Sequence, residues 1–163
     1  MDFKRLITYA FLNNELIEST VAKTDEGFPL INPIRSPESK YPLINISFIG
    51  GGDLRNADDR PYIERFVIEI DLYGNVEYKV VEEIKSVMND LGFLLLHFSD
   101  FKDLYTGIVH NVFHFRQSLT KEIFDQMMEH EHALYLKNHG ELSNDLPSGK
   151  YYDVEKQENY IIE

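Results

Sequence analysis

Histidines and a cluster of aspartates are the side chains here best equipped for acid–base or metal chemistry. His110 and His114 fall in a segment that alternates, with Val109, Phe113 and Phe115 on one side and His110, Val112, His114 and Arg116 on the other. Alternation predicts a strand, and strand rise of ~3.3 Å per residue puts the two histidine Cα atoms about 13 Å apart. One zinc ion with bonds of ~2 Å is not bridged by that pair. A cross-strand approach to His97 is the remaining arrangement. His130 and His132 lie in a segment that reads as helix, where two residues stand about 200° apart, so they do not chelate together. No His-Glu-x-x-His motif is present. Asp53, Asp58 and Asp59 follow the glycine run Gly50-Gly51-Gly52. A phosphate loop would need Gly-Lys-Ser/Thr at its end, and Asp53-Leu54 stands there instead. The alternating ligands and terminal glutamate of a calcium loop are also missing. A hydrolase built on these aspartates and a histidine needs a nucleophile, a base and an orienting group together, and no such trio can be traced. The chain has no cysteine, which excludes disulfides and thiolate chemistry and fits an intracellular origin. No catalytic, cofactor-binding or metal-ligating residue is assigned, no cofactor is expected, and the chain is not expected to be an enzyme.

The elements that carry these side chains follow from periodicity. Phe3, Leu6, Ile7, Ala10 and Phe11 recur at helical spacing and predict a helix over about Asp2 to Asn13 capped by Asp2. From Glu18 to Lys40 the pattern dissolves around Gly27, Pro29, Pro33 and Pro37, which predicts an irregular connection with a short strand near Thr20-Val21-Ala22. That connection reads equally as a partner-contacting arm or as a mobile loop. Tyr41 to Ile49 reads as a strand, and Gly50 to Arg60 as a hairpin loop. In the next strand Phe66, Ile68, Ile70 and Leu72 point one way, and Arg65, Glu69, Asp71 and Tyr73 the other. One face meets a core and the other is wet or at an interface. Gly74-Asn75 ends that strand. Val80, Ile84, Val87 and Leu91 then predict a central helix closed by Gly92 as a left-handed cap. Phe93 to Phe98 forms a further strand. Asp100, Lys102 and Asp103 turn the chain, the strand resumes near Tyr105-Thr106-Gly107, and Ile108 to Gln117 forms the last strand. A helix capped by Ser118 or Thr120 carries Ile123, Phe124, Met127, Met128, Leu134 and Leu136 to about Asn138. The expected fold is α+β, a mostly antiparallel sheet with helices packed on it. Residues 1–140 form one domain, and 141–163 an acidic C-terminal tail that is either solvated or docked on a neighbouring subunit.

Composition agrees with a folded chain, since 43% of residues are apolar and 13% aromatic, enough for a sizeable core. The formal charge of −12 has the wrong sign for gripping phosphates, so specific nucleic-acid binding is not expected. A negative surface does suit a channel through which DNA slides without sticking. Met1-Asp2-Phe3-Lys4-Arg5 leads into a mixed segment rather than the apolar core of a signal peptide, and no run reaches the ~20 apolar residues that span a bilayer, so no membrane partner is expected.

The order of these elements resembles the tail terminator (tail completion) proteins of long-tailed bacteriophages. The resemblance rests on the first helix, on Tyr41-Pro42-Leu43-Ile44-Asn45-Ile46, and on Phe66-Val67-Ile68-Glu69-Ile70-Asp71-Leu72-Tyr73 with its following helix. It extends through Met88-Asn89-Asp90-Leu91-Gly92-Phe93, the turn Asp103-Leu104-Tyr105-Thr106-Gly107, and the strand Val109 to Arg116. The family often has tryptophan where Tyr73 stands, and Asp103 and Arg116 occupy places comparable to its turn aspartate and strand-ending arginine. The pattern covers roughly residues 40 to 117 plus the first helix. The Pro-rich connection and the stretch after Arg116 exceed a minimal member. The resemblance implies a virion protein of the tail and neck, assembled in the host cytoplasm, that forms a homo-hexameric ring. Its partners would be the tail tube protein and the head–tail connector or head-completion protein, with the genome passing through the ring. The alternative is another neck protein, a head-completion or head–tail adaptor. Less direct readings are the hydrolase set out above and a small acidic antitoxin-like or immunity protein.

Overall fold

A computed structural model describes residues 2–25, 27–32, 40–54, 63–139, 149–153 and 158–162. Helices α1 (Phe3–Asn13) and α2 (Glu15–Thr20) precede strands β1 (Leu43–Leu54) and β2 (Ile63–Tyr73). Helix α3 (Tyr78–Asp90), strands β3 (Leu94–Lys102) and β4 (Val109–Thr120), and helix α4 (Lys121–His139) follow. A hairpin of β5 (Gly149–Asp153) and β6 (Glu158–Ile162) comes last. The four long strands make one antiparallel sheet in the order β1-β2-β4-β3, with helices packed around it, so the protein is α+β.

Alternation along β2 decides how the sheet is buried. Ile68, Ile70 and Leu72 lie opposite Phe115, Phe113 and Asn111 of β4, and the apolar members of this set are fully enclosed. Ile46 and Ile44 of β1 extend the same layer. Helix α1 starts where Asp2 accepts a hydrogen bond from the Arg5 amide at 3.1 Å, the cap expected from sequence. Its first residue, Phe3, ties three elements together: its ring centroid lies 4.2 Å from Phe66 on β2, 5.7 Å from Phe93 before β3 and 4.9 Å from Phe124 on α4. Val80, Val81, Ile84 and Met88 bury the inner side of α3. That helix ends at Gly92, whose φ of +81° is the left-handed value anticipated there. The Gln117 side chain donates to the Leu91 carbonyl at 2.8 Å and locks the helix end to β4.

Several expectations are corrected. The chain does not go straight from α1 into an irregular connection: Asn14 closes α1 and accepts from the Ile17 amide at 3.0 Å, starting the short helix α2. Thr20 ends that helix rather than opening a strand. The extended piece beyond it folds on itself at a single bridge, Lys23 to Pro29, and reaches the sheet at another, Ile31 to Ile44 of β1. Residues 33–39, with Pro33 and Pro37, lie outside the described residues. The glycine run is not loop but strand: Gly50, Gly51 and Gly52 pair with Val67, Phe66 and Arg65 after a bulge between Phe48 and Gly50. Pairing from β2 outweighs the weak strand preference of glycine. Asp58 and Asp59 lie outside the described residues. Asp100 and Lys102 also belong to a strand, opposite Asn111 and Val109; the turn runs from Asp103 to Gly107, and the next strand starts at Val109 rather than near Tyr105-Thr106-Gly107. Strand β4 continues to Thr120, whose hydroxyl then accepts from the Ile123 amide at 3.3 Å and starts α4. Within the expected tail, β5 and β6 pair antiparallel from Gly149–Ile162 to Asp153–Glu158.

Candidate functional site

The polar face of the sheet gathers most of the residues singled out for chemistry. Asp71 and Glu69 of β2 and His110 and His114 of β4 share that face, because each is out of phase with the buried Ile and Phe residues. The antiparallel register brings them into pairs. His110 Nε2 lies 2.7 Å from Asp71 Oδ1, and His114 Nε2 lies 2.7 Å from Glu69 Oε2. The Tyr73 ring stacks on His110 at 4.2 Å, and Phe101 of β3 meets the same imidazole edge-on at 4.6 Å. Covered this way, Asp71 is only 7% exposed although it sits on the face expected to be wet. Burial pushes its carboxyl above the usual aspartate range, aided by the nearby Glu69 charge and opposed by the hydrogen bond to His110. Burial, with the charges of Asp71 and Glu69, likewise raises the Tyr73 hydroxyl.

His97, whose cross-strand approach the sequence left open, pairs in register with His114, and their ring centroids are 5.9 Å apart. Among the described residues, however, no group of three or more histidines, cysteines and acidic residues could hold a metal ion. His130 and His132 sit on α4 as the helical reading requires. His132 stacks on Tyr9 of α1 at 5.0 Å, so it serves packing. Asp53 is paired through its backbone opposite Glu64, away from the histidine cluster. The Asp71–His110 pair has the geometry of an oriented base. Tyr73 and Phe101 pack on its imidazole, and the Glu69 charge lies near its carboxylate.

A second surface was not anticipated. Strand β3 is an edge of the sheet, and Leu94, Leu95, Leu96 and Phe101 are all exposed on it. Side chains alternate between the two faces along a strand, and the bulge between Leu95 and His97 interrupts that alternation here. From sequence, Leu94-Leu95-Leu96 reads simply as part of the strand Phe93 to Phe98. Only the strand order reveals that it has no partner on its outer side among the described residues. An exposed apolar edge strand is a surface that pairs with another chain unless something covers it. No protein-family model matches this chain, and no curated protein matches it.

Proposed function

We propose that this protein is a structural subunit of a phage-type tail, one that assembles with copies of itself into a ring. The ring would cap the tail tube and join it to the head connector, with the genome passing through its opening. The reading starts from the resemblance of residues 40 to 117 and the first helix to tail terminators. The observation that carries it is the β3 edge, with its exposed leucines, which suits protein contact rather than a reaction. A charge of −12 is consistent with a lumen that DNA slides past. Partners are then further copies of the chain, the tail tube protein and the connector or head-completion protein. The site of action is the virion neck, after assembly in the host cytoplasm.

Electron microscopy of the purified protein tests this. Projections with six-fold symmetry are expected, together with co-sedimentation with tail tubes. Particles that stay monomeric at hundreds of micromolar and ignore tubes would overturn it. Binding to the connector without any affinity for tubes would mark a different neck protein.

A further inference from the structure

Two features at opposite corners of the molecule match each other. One is an apolar cavity of about 390 Å³ at the start of α1. Phe3, Phe48, Phe66 and Ile68 line it, together with the charged residues Asp2 and Lys4. Phe48 is 55% exposed at its mouth. The other is the turn between β3 and β4, where Leu104 is 96% and Tyr105 99% exposed. This turn is a built structure. Asp103 Oδ1 accepts from the amides of Tyr105 at 2.7 Å and Thr106 at 2.9 Å, and those bonds hold its carboxyl below the usual range. The Asp103 amide donates to the Ile108 carbonyl at 2.9 Å, and the Gly107 amide to the Asp103 carbonyl at 2.8 Å. Two large apolar side chains are therefore presented to solvent on a preorganised loop, which lowers the entropy lost on docking.

The cavity and the turn do not meet within one subunit. The cavity lies at the β1 edge, level with Phe48, Ile68 and Phe115, whereas the turn follows Lys102 and Val109 on the β3 side. Strand geometry separates them by roughly 20 Å along the sheet and roughly 14 Å across it. We propose that the Leu104–Tyr105 turn of one copy inserts into the Phe3–Phe48–Phe66 cavity of the next. The charges fit a second copy as the occupant. Each patch carries one charge of each sign, Lys102 and Asp103 beside the turn and Asp2 and Lys4 at the cavity, so the docking orientation that sets Lys102 against Asp2 and Asp103 against Lys4 opposes unlike charges at both places. Because the two patches differ and sit at opposite corners, the contact is head-to-tail, the kind that closes into a ring or runs on as a filament. The inference rests on the self-assembling reading above and names the surfaces that reading leaves open.

The chain has no cysteine, so cysteine cross-linking has no background. A disulfide needs Cα atoms within about 7 Å, which Ser47 at the cavity and Thr106 in the turn cannot reach inside one subunit. The variant S47C/T106C, which keeps Phe48, Leu104 and Tyr105, is expected on oxidation at high concentration to give a ladder of covalent oligomers ending at the closed species. A mixture of the single variants S47C and T106C should give mainly the mixed dimer. A Tyr105→Ser, Leu104→Ser variant, which keeps Asp103, should lose self-association while keeping its circular dichroism spectrum. Rings that form without the S47C–T106C cross-link would overturn this contact and leave the ring reading standing. A chain that stays monomeric throughout would overturn both.

Discussion

Asp71 is the residue whose surroundings depart furthest from what its type suggests. A carboxylate on the polar side of a strand is ordinarily solvated, yet His110, Tyr73 and the sheet itself enclose this one. Its folded pKa is raised, chiefly by burial. A raised carboxyl stabilises the fold most below its unfolded pKa, and that contribution is lost as pH rises through the folded value. Asp71→Asn removes the titration and can keep a hydrogen bond to His110. Urea denaturation at pH 4, 5 and 7 should therefore show the variant gaining on the parent as pH rises from about 4. A drift the other way would mean that the bond to His110 outweighs burial. The spacing of His110 and His114 ruled out a shared metal ion from sequence. Their carboxylate partners were invisible there, because Asp71 and Glu69 are distant in the chain and meet them only through the β2–β4 register.

Among the elements, the junction from α3 to β3 is tightly constrained. Gly92 combines a φ of +81° with a Cβ position only 2.6 Å from the Gln117 amide nitrogen. Gly92→Ala is expected to cost about 1–2 kcal/mol from the left-handed backbone alone, with further loss if Gln117 must release the Leu91 carbonyl. Chemical denaturation measures it, and a loss under ~0.5 kcal/mol would show that the junction relaxes freely. Strand β3 gives the opposite case. Leu94 and Leu96 are exposed, so replacing both with glutamate should leave stability within ~0.5 kcal/mol per site and yet abolish self-association in mass photometry. If assembly survives, the edge is not an assembly surface. Helices α1, α3 and α4 were legible because each carries an apolar stripe at helical spacing and α1 and α4 begin at recognisable caps. Helix α2 and the later parts of β1 and β3 were not legible. Asn14 acts as a cap only in its folded geometry, and glycines or charged residues become strand when a neighbouring strand supplies hydrogen bonds.

At the scale of the whole molecule, charge and shape oppose each other. Copies that each carry −12 repel one another before any patch can meet. Exposed opposite-charge pairs such as Lys102 with Asp2 return only about 0–1 kcal/mol each. Self-association is therefore expected to tighten when salt rises from about 20 mM to about 500 mM, as the Debye length falls below ~10 Å. Weakening with salt instead would mean that the local charge pairs dominate. By itself the sequence determined the α+β class, the helix caps and the faces of β2 and β4, since these depend on periodicity and on neighbours a few residues away. Only the tertiary structure decided that Leu94-Leu95-Leu96 lies on an edge strand with no outer partner among the described residues, that Asp71 is enclosed beside His110, and that an apolar cavity and an exposed turn lie at different corners of the sheet. Strand order and register join residues far apart in the chain, and no local pattern encodes which strand is left without a neighbour.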